Sequence, residues 1–166
     1  MTENQQDPNQ DISNEISNEI NKAHSKSEAR LAAVEALFSL QIDSDKRTAK
    51  HALADILEYY KEDEIDAKPN KKFLEKIVWG VTEHQENIDE LISKHLSLEW
   101  KLNRLNLIVQ AILRAAVFEL SAAEISHKVI INEYIDVAKC FCDDTDVAFI
   151  NGILDNIAGF LSKDKA

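Results

Sequence analysis

A chain of 166 residues with three Gly and two Pro has too few turn residues for a β-rich fold of this size, and its Ala, Leu, Ile, Glu and Lys content favours helix. Its formal charge of -11 opposes a general attraction to phosphate backbones, so nucleic-acid binding would need a locally basic patch. No apolar run reaches the length of a membrane span and the first 25 residues lack a signal-peptide core, so the expectation is an all-α cytoplasmic protein of one domain, or of two small subdomains sharing a core.

Residues 1–25 are polar and acidic and contain the short repeat ISNEISNEI; the composition predicts a disordered tail. Ile12, Ile16 and Ile20 recur every four residues there, a stripe too thin for more than a frayed helical turn. From Lys26 the stretch KSEARLAAVEALFSLQI predicts a strong helix with Leu31, Val34 and Phe38 on one side and Ser25 or Ser27 as its cap. After a loop at residues 43–45, Leu53, Ile56, Leu57 and Tyr60 predict a second amphipathic helix.

A third segment opens at Pro69 and carries Phe73, Ile77, Val81, Ile88, Leu91 and Ile92. Its length predicts one long helix, or two that meet at Gly80 or Thr82, with Gly80 either bending the helix or allowing close packing. Residues 100–120 are apolar almost all round and predict a buried central helix.

A short connection at residues 121–126 leads into residues 129–155, read as a helix, an acidic turn at residues 143–146 and a second helix. Ile130, Tyr134, Val137 and Phe141 make the packing face of the first, and Ile150, Ile153, Leu154, Ile157 and Leu161 that of the second. Gly152 costs its helix about 1 kcal/mol relative to Ala, which suggests a close helix contact or, less expected, close approach by a ligand. Residues 163–166 read as a loose end.

No phosphate-binding Gly loop, H-E-x-x-H or G-x-S-x-G motif occurs, and the five His are scattered, so no catalytic residues, metal or cofactor are expected. Glu83 beside His84, and His51 one turn before Asp55, fit solvated helix faces better than acid and base pairs. Cys140 and Cys142, at C-x-C spacing on a helix, point to different sides of its axis and fit packing better than a disulfide or a zinc site.

Arg104, Arg114 and Glu119 on the central apolar helix need partners. They either anchor the two halves of the molecule or, for Arg114 with Lys128 and Lys139, contribute to a phosphate-binding surface. Lys26 and Arg30 stand one turn apart where the first body helix is expected to begin. That is either an ordinary mixed-charge start or a site where free backbone N–H groups favour a phosphate.

Several strings taken together resemble the NusB family of bacterial transcription antitermination factors, in its alphaproteobacterial form: ARLAAVEALF at 29–38, EWKLNRL at 99–105, AILRAAVFEL at 111–120, VIINEYIDVAK at 129–139 and FINGILD at 149–155. The resemblance implies an all-helical fold of two perpendicular three-helix bundles, about 26–97 and about 100–162, without catalytic activity. It implies binding of boxA-type single-stranded RNA as a heterodimer with NusE, a small-subunit ribosomal protein, in an antitermination complex with NusA, NusG and RNA polymerase on rRNA operons.

Carried over by residue, the family's arginine-rich segment keeps Lys26 and Arg30 here, while Ser27 and Glu28 stand where many members have Arg. Phe38 stands where Tyr is frequent and keeps a ring for stacking. Gln110, Thr145 and Asp146 border the family's RNA surface. The depleted basic segment implies weak RNA binding by the chain alone. Two alternatives are a protein-binding helical scaffold with weakened RNA binding and a NusB-like accessory module of an rRNA methyltransferase; the length and the missing cofactor loop disfavour the latter.

Overall fold

In the computed structural model, which describes residues 7–43, 45–62, 68–122 and 124–163, Asp7 caps the first helix, α1 (Pro8–Ile42), by accepting a bond from Asn9 N at 3.0 Å, with Pro8 in the first turn. The segment expected to be a disordered tail is therefore helical from Pro8 onward. Residues 8–24 are all exposed, so what sustains them is propagation: a turn added to an existing helix escapes the nucleation cost that an isolated peptide pays.

Ser25 and Ser27 are not caps. The Ser25 hydroxyl donates to the Lys22 carbonyl inside the helix at 2.9 Å, and that of Ser27 lies over the Ala23 carbonyl at 3.2 Å. Further along, Ala29, Ala32, Ala33 and Ala36 alternate with Val34 and Leu37 on the buried face. Their small side chains let neighbouring helices approach closely.

Thr48 leads into α2 (Ala49–Glu62), its hydroxyl accepting from His51 N at 3.3 Å. Asn70, rather than Pro69, starts α3 (Lys71–Glu83): its side chain accepts from Phe73 N at 3.0 Å, and its own N–H donates to Ser25 O on α1 at 2.9 Å. The long third segment breaks at His84, with α4 (Gln85–His95) following, and not at Gly80 or Thr82. Gly80 is instead a site of close packing, since a Cβ there would overlap the ring of Phe118.

The stretch expected to be helical from Trp100 begins as a connection. Residues 102–104 form one 3-10 turn, and α5 (Leu107–Ala122) starts where the Asn106 side chain accepts from Ile108 N at 3.0 Å. That cap stops the helix from extending backwards and leaves Trp100 54% exposed. From Val109 to Val117 every residue of α5 is buried, as expected for a central helix.

Helix α6 (His127–Phe141) and α7 (Asp144–Lys163) meet at Asp143, whose carboxylate accepts from Asp146 N at 2.9 Å. Asp144 and Asp146 then lie in the first turn of α7, where the helix dipole favours negative charge. Gly152 makes no close contact: a Cβ there would meet open space. The expected helix crossing is absent because the residue sits on the exposed face of α7.

These seven α-helices, with no strand among the described residues, form two groups. Helices α1, α2 and α3 pack on one another; α5, α6 and α7 do the same, joined by α4, which lies chiefly against α5 and α7. Helix α5 is shared, touching α1 and α3 of the first group as well as α4, α6 and α7. The core, from Leu74, Ile77 and Ile92 through Ile112 and Leu113 to Ile130, Ile150 and Leu154, is one continuous cluster. None of the helices is long and apolar enough to cross a membrane.

Candidate nucleic-acid interface

The middle of α1 carries Lys26, Ser27 and Arg30 toward α3, α5 and α6. Because α1 runs straight through this region, no helix N-terminus is exposed at Lys26, and the free N–H groups expected to favour a phosphate are bonded within the helix. Arg30 is 3% exposed. Its Nε and Nη2 donate to the two carboxylate oxygens of Glu119 at 2.8 and 3.0 Å, and Nη1 lies 3.6 Å from Glu133. Burial opposes its charge, but the bond to and the charge of Glu119 outweigh it, and the pKa of Arg30 stands above its ordinary value.

Ser27 donates to the same Glu133 at 2.8 Å. Tyr134, fully buried, lies beside this cluster without a hydrogen-bond partner for its hydroxyl among the described residues. Burial and then the charge of Glu119 push its phenol well above the usual range. Arg30 and Glu119 thus tie α1 to α5, the anchoring role foreseen for Glu119, and the charge of Arg30 is answered inside the protein.

Lys26 is exposed, with its Nζ 5.6 Å from the centre of the Phe73 ring; the guanidinium of Arg30 is 5.0 Å from the same ring. Lys26, Arg30, Phe73 and Glu119 line a small hollow, at whose rim Lys76 donates to Glu124 at 2.8 Å and, with a smaller effect from Lys26, holds that carboxylate below its usual range. Phe73, absent from the expected site because its spacing marks a core position, is half-buried here beside two cations.

The other expected residues lie elsewhere. Phe38 is half-buried and packed against the core. Gln110 is 3% exposed, donating to Leu105 O at 2.7 Å and meeting the side-chain amide of Gln41 at 3.1 Å. It lies nine residues before Glu119 on α5, about 14 Å along the helix. Thr145 is exposed and Asp146 half-buried in the first turn of α7. One turn on, Phe149 leans on Trp100 with ring centres 6.0 Å apart and planes at 51°. The sequence marked Trp100 as core, so this pairing of an exposed indole with the half-buried Phe149 was missed.

Arg114 does not share a surface with Lys128 and Lys139. It is 8% exposed and held by Asp89 of α4 in two bonds of 2.7 and 3.1 Å, while those lysines are exposed on α6. Arg104 is exposed in the 3-10 turn rather than buried. Asp55 is engaged by Arg47 and His51 by Thr48, so that carboxylate and imidazole do not form a pair. Cys140 and Cys142 are both free, and burial and the nearby charges of Asp146 and Asp143 push the Cys142 thiol up, away from the thiolate a metal needs. Among the described residues no group of His, Cys, Asp or Glu is arranged to hold a metal.

A sequence model described as the NusB family matches residues 27–159. A transcription antitermination protein NusB from Bacillus subtilis is 43% identical over 130 residues, covering 78% of this chain and 91% of its own. Among solved structures, that of NusB from T. maritima superposes with a TM-score of 0.69 at 33% identity, covering 81% of this chain and 90% of the other. One described as antitermination factors NusB and NusE in complex with dsRNA gives 0.68 at 25%, covering 81% and 96%.

Proposed function

Since the chain belongs to the NusB family, matched over residues 27–159, we propose that it is a non-catalytic transcription antitermination factor of the cytoplasm that binds boxA-type single-stranded RNA as a heterodimer with NusE. In this reading the pair joins NusA, NusG and RNA polymerase on rRNA operons. The observation that carries it is the extent of the likeness: 43% identity across nearly the whole of a relative named for antitermination. The solved complex of NusB, NusE and dsRNA, similar over 81% of this chain, supports NusE and RNA as the partners.

The α1 surface gives this reading its chemistry and its limit. Lys26 is exposed beside Phe73, and a cation next to a ring suits single-stranded RNA, which presents phosphates and base faces together. Arg30 positions α1 through Glu119 rather than offering a free charge. Ser27, Phe38, Thr145 and Asp146 remain proposed contacts, Thr145 with the freest side chain of the four, whereas Gln110, buried and bonded to Leu105 and Gln41, is withdrawn like Arg30.

The buried charge of Arg30 also favours a second reading, a protein-binding scaffold that has lost its grip on RNA. Lys26→Glu separates the two, since it reverses an exposed charge and leaves the Arg30–Glu119 pair intact. With NusE present, antitermination through RNA predicts that Lys26→Glu weakens boxA RNA binding about tenfold and flattens its salt dependence. RNA retention unchanged by Lys26→Glu favours the scaffold.

A further inference from the structure

The connection between α4 and α5 holds an aromatic residue in a position that packing does not explain. Leu96 and Leu102 are buried and pin its two ends, and bonds from Trp100 N to Ser97 O at 3.0 Å and from Arg104 N to Lys101 O at 3.0 Å order the backbone between them. Trp100, at the outer edge, is 54% exposed. It leans on Phe149 with ring centres 6.0 Å apart and planes at 51°, so the indole rests against a second ring while about half of it stays open to solvent.

Beside it runs a groove of about 370 Å³ lined by Ser93, Lys101, Asn103 and the Asp89–Arg114 pair. Lys101 and Arg104 are exposed and form no ion pair among the described residues. Across residues 99–104 these two cations face one acid, Glu99, so the stretch is net positive by one charge on a chain of -11.

We infer that Trp100, backed by Phe149, is a base-stacking platform for single-stranded RNA, with Lys101 and Arg104 taking the phosphates on either side of the stacked nucleotide. This rests on the RNA-binding reading above and extends the RNA path beyond Lys26 to the α4–α5 connection. An ordered, largely exposed indole braced by a second ring is what stacking needs, and unpaired cations at its flank supply the electrostatic part. Asn103 and Ser93 offer hydrogen-bonding groups for a base edge, and the carboxylate of Asp146, one turn before Phe149, can accept from an exocyclic amine. An apolar protein anchor would sit better in an unbroken apolar rim than in this polar groove.

The chain has two Trp, at positions 79 and 100, so in Trp79→Phe protein the emission of Trp100 alone reports on the site. In the complex with the ribosomal-protein partner, a boxA-like RNA oligonucleotide is expected to quench that emission. Trp100→Ala is expected to weaken RNA binding about tenfold, with Trp100→Phe recovering most of it. Lys101→Ala is expected to lower the salt slope of binding by about one.

RNA binding with unchanged Trp100 emission and equal affinity of Trp100→Ala overturns the platform while leaving RNA binding in place. Full quenching by the protein partner before RNA is added assigns Trp100 to a protein interface and overturns it too. No RNA binding by the unsubstituted complex overturns both the platform and the function it rests on.

Discussion

Replacing Arg30 by Met removes the partner of a carboxylate whose side chain is 9% exposed, leaving Glu119 charged and buried without compensation. Breaking a buried pair from one side costs about 3–5 kcal/mol, which for a domain of this size lowers the melting temperature by roughly 10 °C. The double replacement Arg30→Met with Glu119→Leu exchanges the pair for apolar volume and is expected to recover most of that loss. Calorimetry on the three proteins checks this, and a single variant as stable as the parent would show that Arg30 does not hold α1 on α5. Because Arg30→Met disturbs the fold, it is unsuited to probing RNA contacts; Lys26, exposed and a turn away, is the better choice.

The same residue shows where sequence alone stops. That Glu119 needs a partner follows from a carboxylate on an apolar helix, and that Arg30 is available follows from the chain. Pairing residues 89 positions apart is a property of tertiary packing that neither local pattern contains. Trp100 is the reverse case: its apolar surroundings in the sequence suggest burial, and only the cap at Asn106 shows that the helix begins after it.

At the scale of elements, the helices from α2 onward follow the apolar periodicity closely, because each must bury one stripe against a neighbour and few Gly or Pro interrupt it. Boundaries are less legible, since they depend on single capping side chains: Asn70, Asn106 and Asp143 decide where α3, α5 and α7 begin. The extension of α1 through residues 8–24 was hidden for a related reason, because its helicity derives from the body it continues rather than from its own composition.

The two helical glycines make a paired test at this scale. Gly80→Ala forces a methyl into the ring of Phe118 and is expected to destabilise the fold by about 1–3 kcal/mol through overpacking. Gly152→Ala meets open space and is expected to stabilise it by roughly 0.5–1 kcal/mol through backbone entropy and helix propensity. Denaturant unfolding of both variants measures the difference. Equal effects in the same direction would contradict the placement of one of the two helices.

For the whole molecule, the family and the two-group helical fold were legible from five short strings, because their order and spacing encode which helix packs on which. The proposed nucleic-acid surface was much less so. A list of residues borrowed by resemblance does not distinguish a cation that faces solvent, such as Lys26, from one whose charge is answered internally, such as Arg30.

A formal charge of -11 repels RNA at long range, so strong binding requires a partner that brings positive charge and ordered phosphate contacts of its own. The measurement that tests this most directly is a titration of boxA-like RNA at physiological salt against the chain alone and against its heterodimer with the ribosomal-protein partner. The account predicts that the heterodimer binds at least ten times more tightly, roughly 1.4 kcal/mol or more. Equal affinities of the free chain and the heterodimer would contradict it.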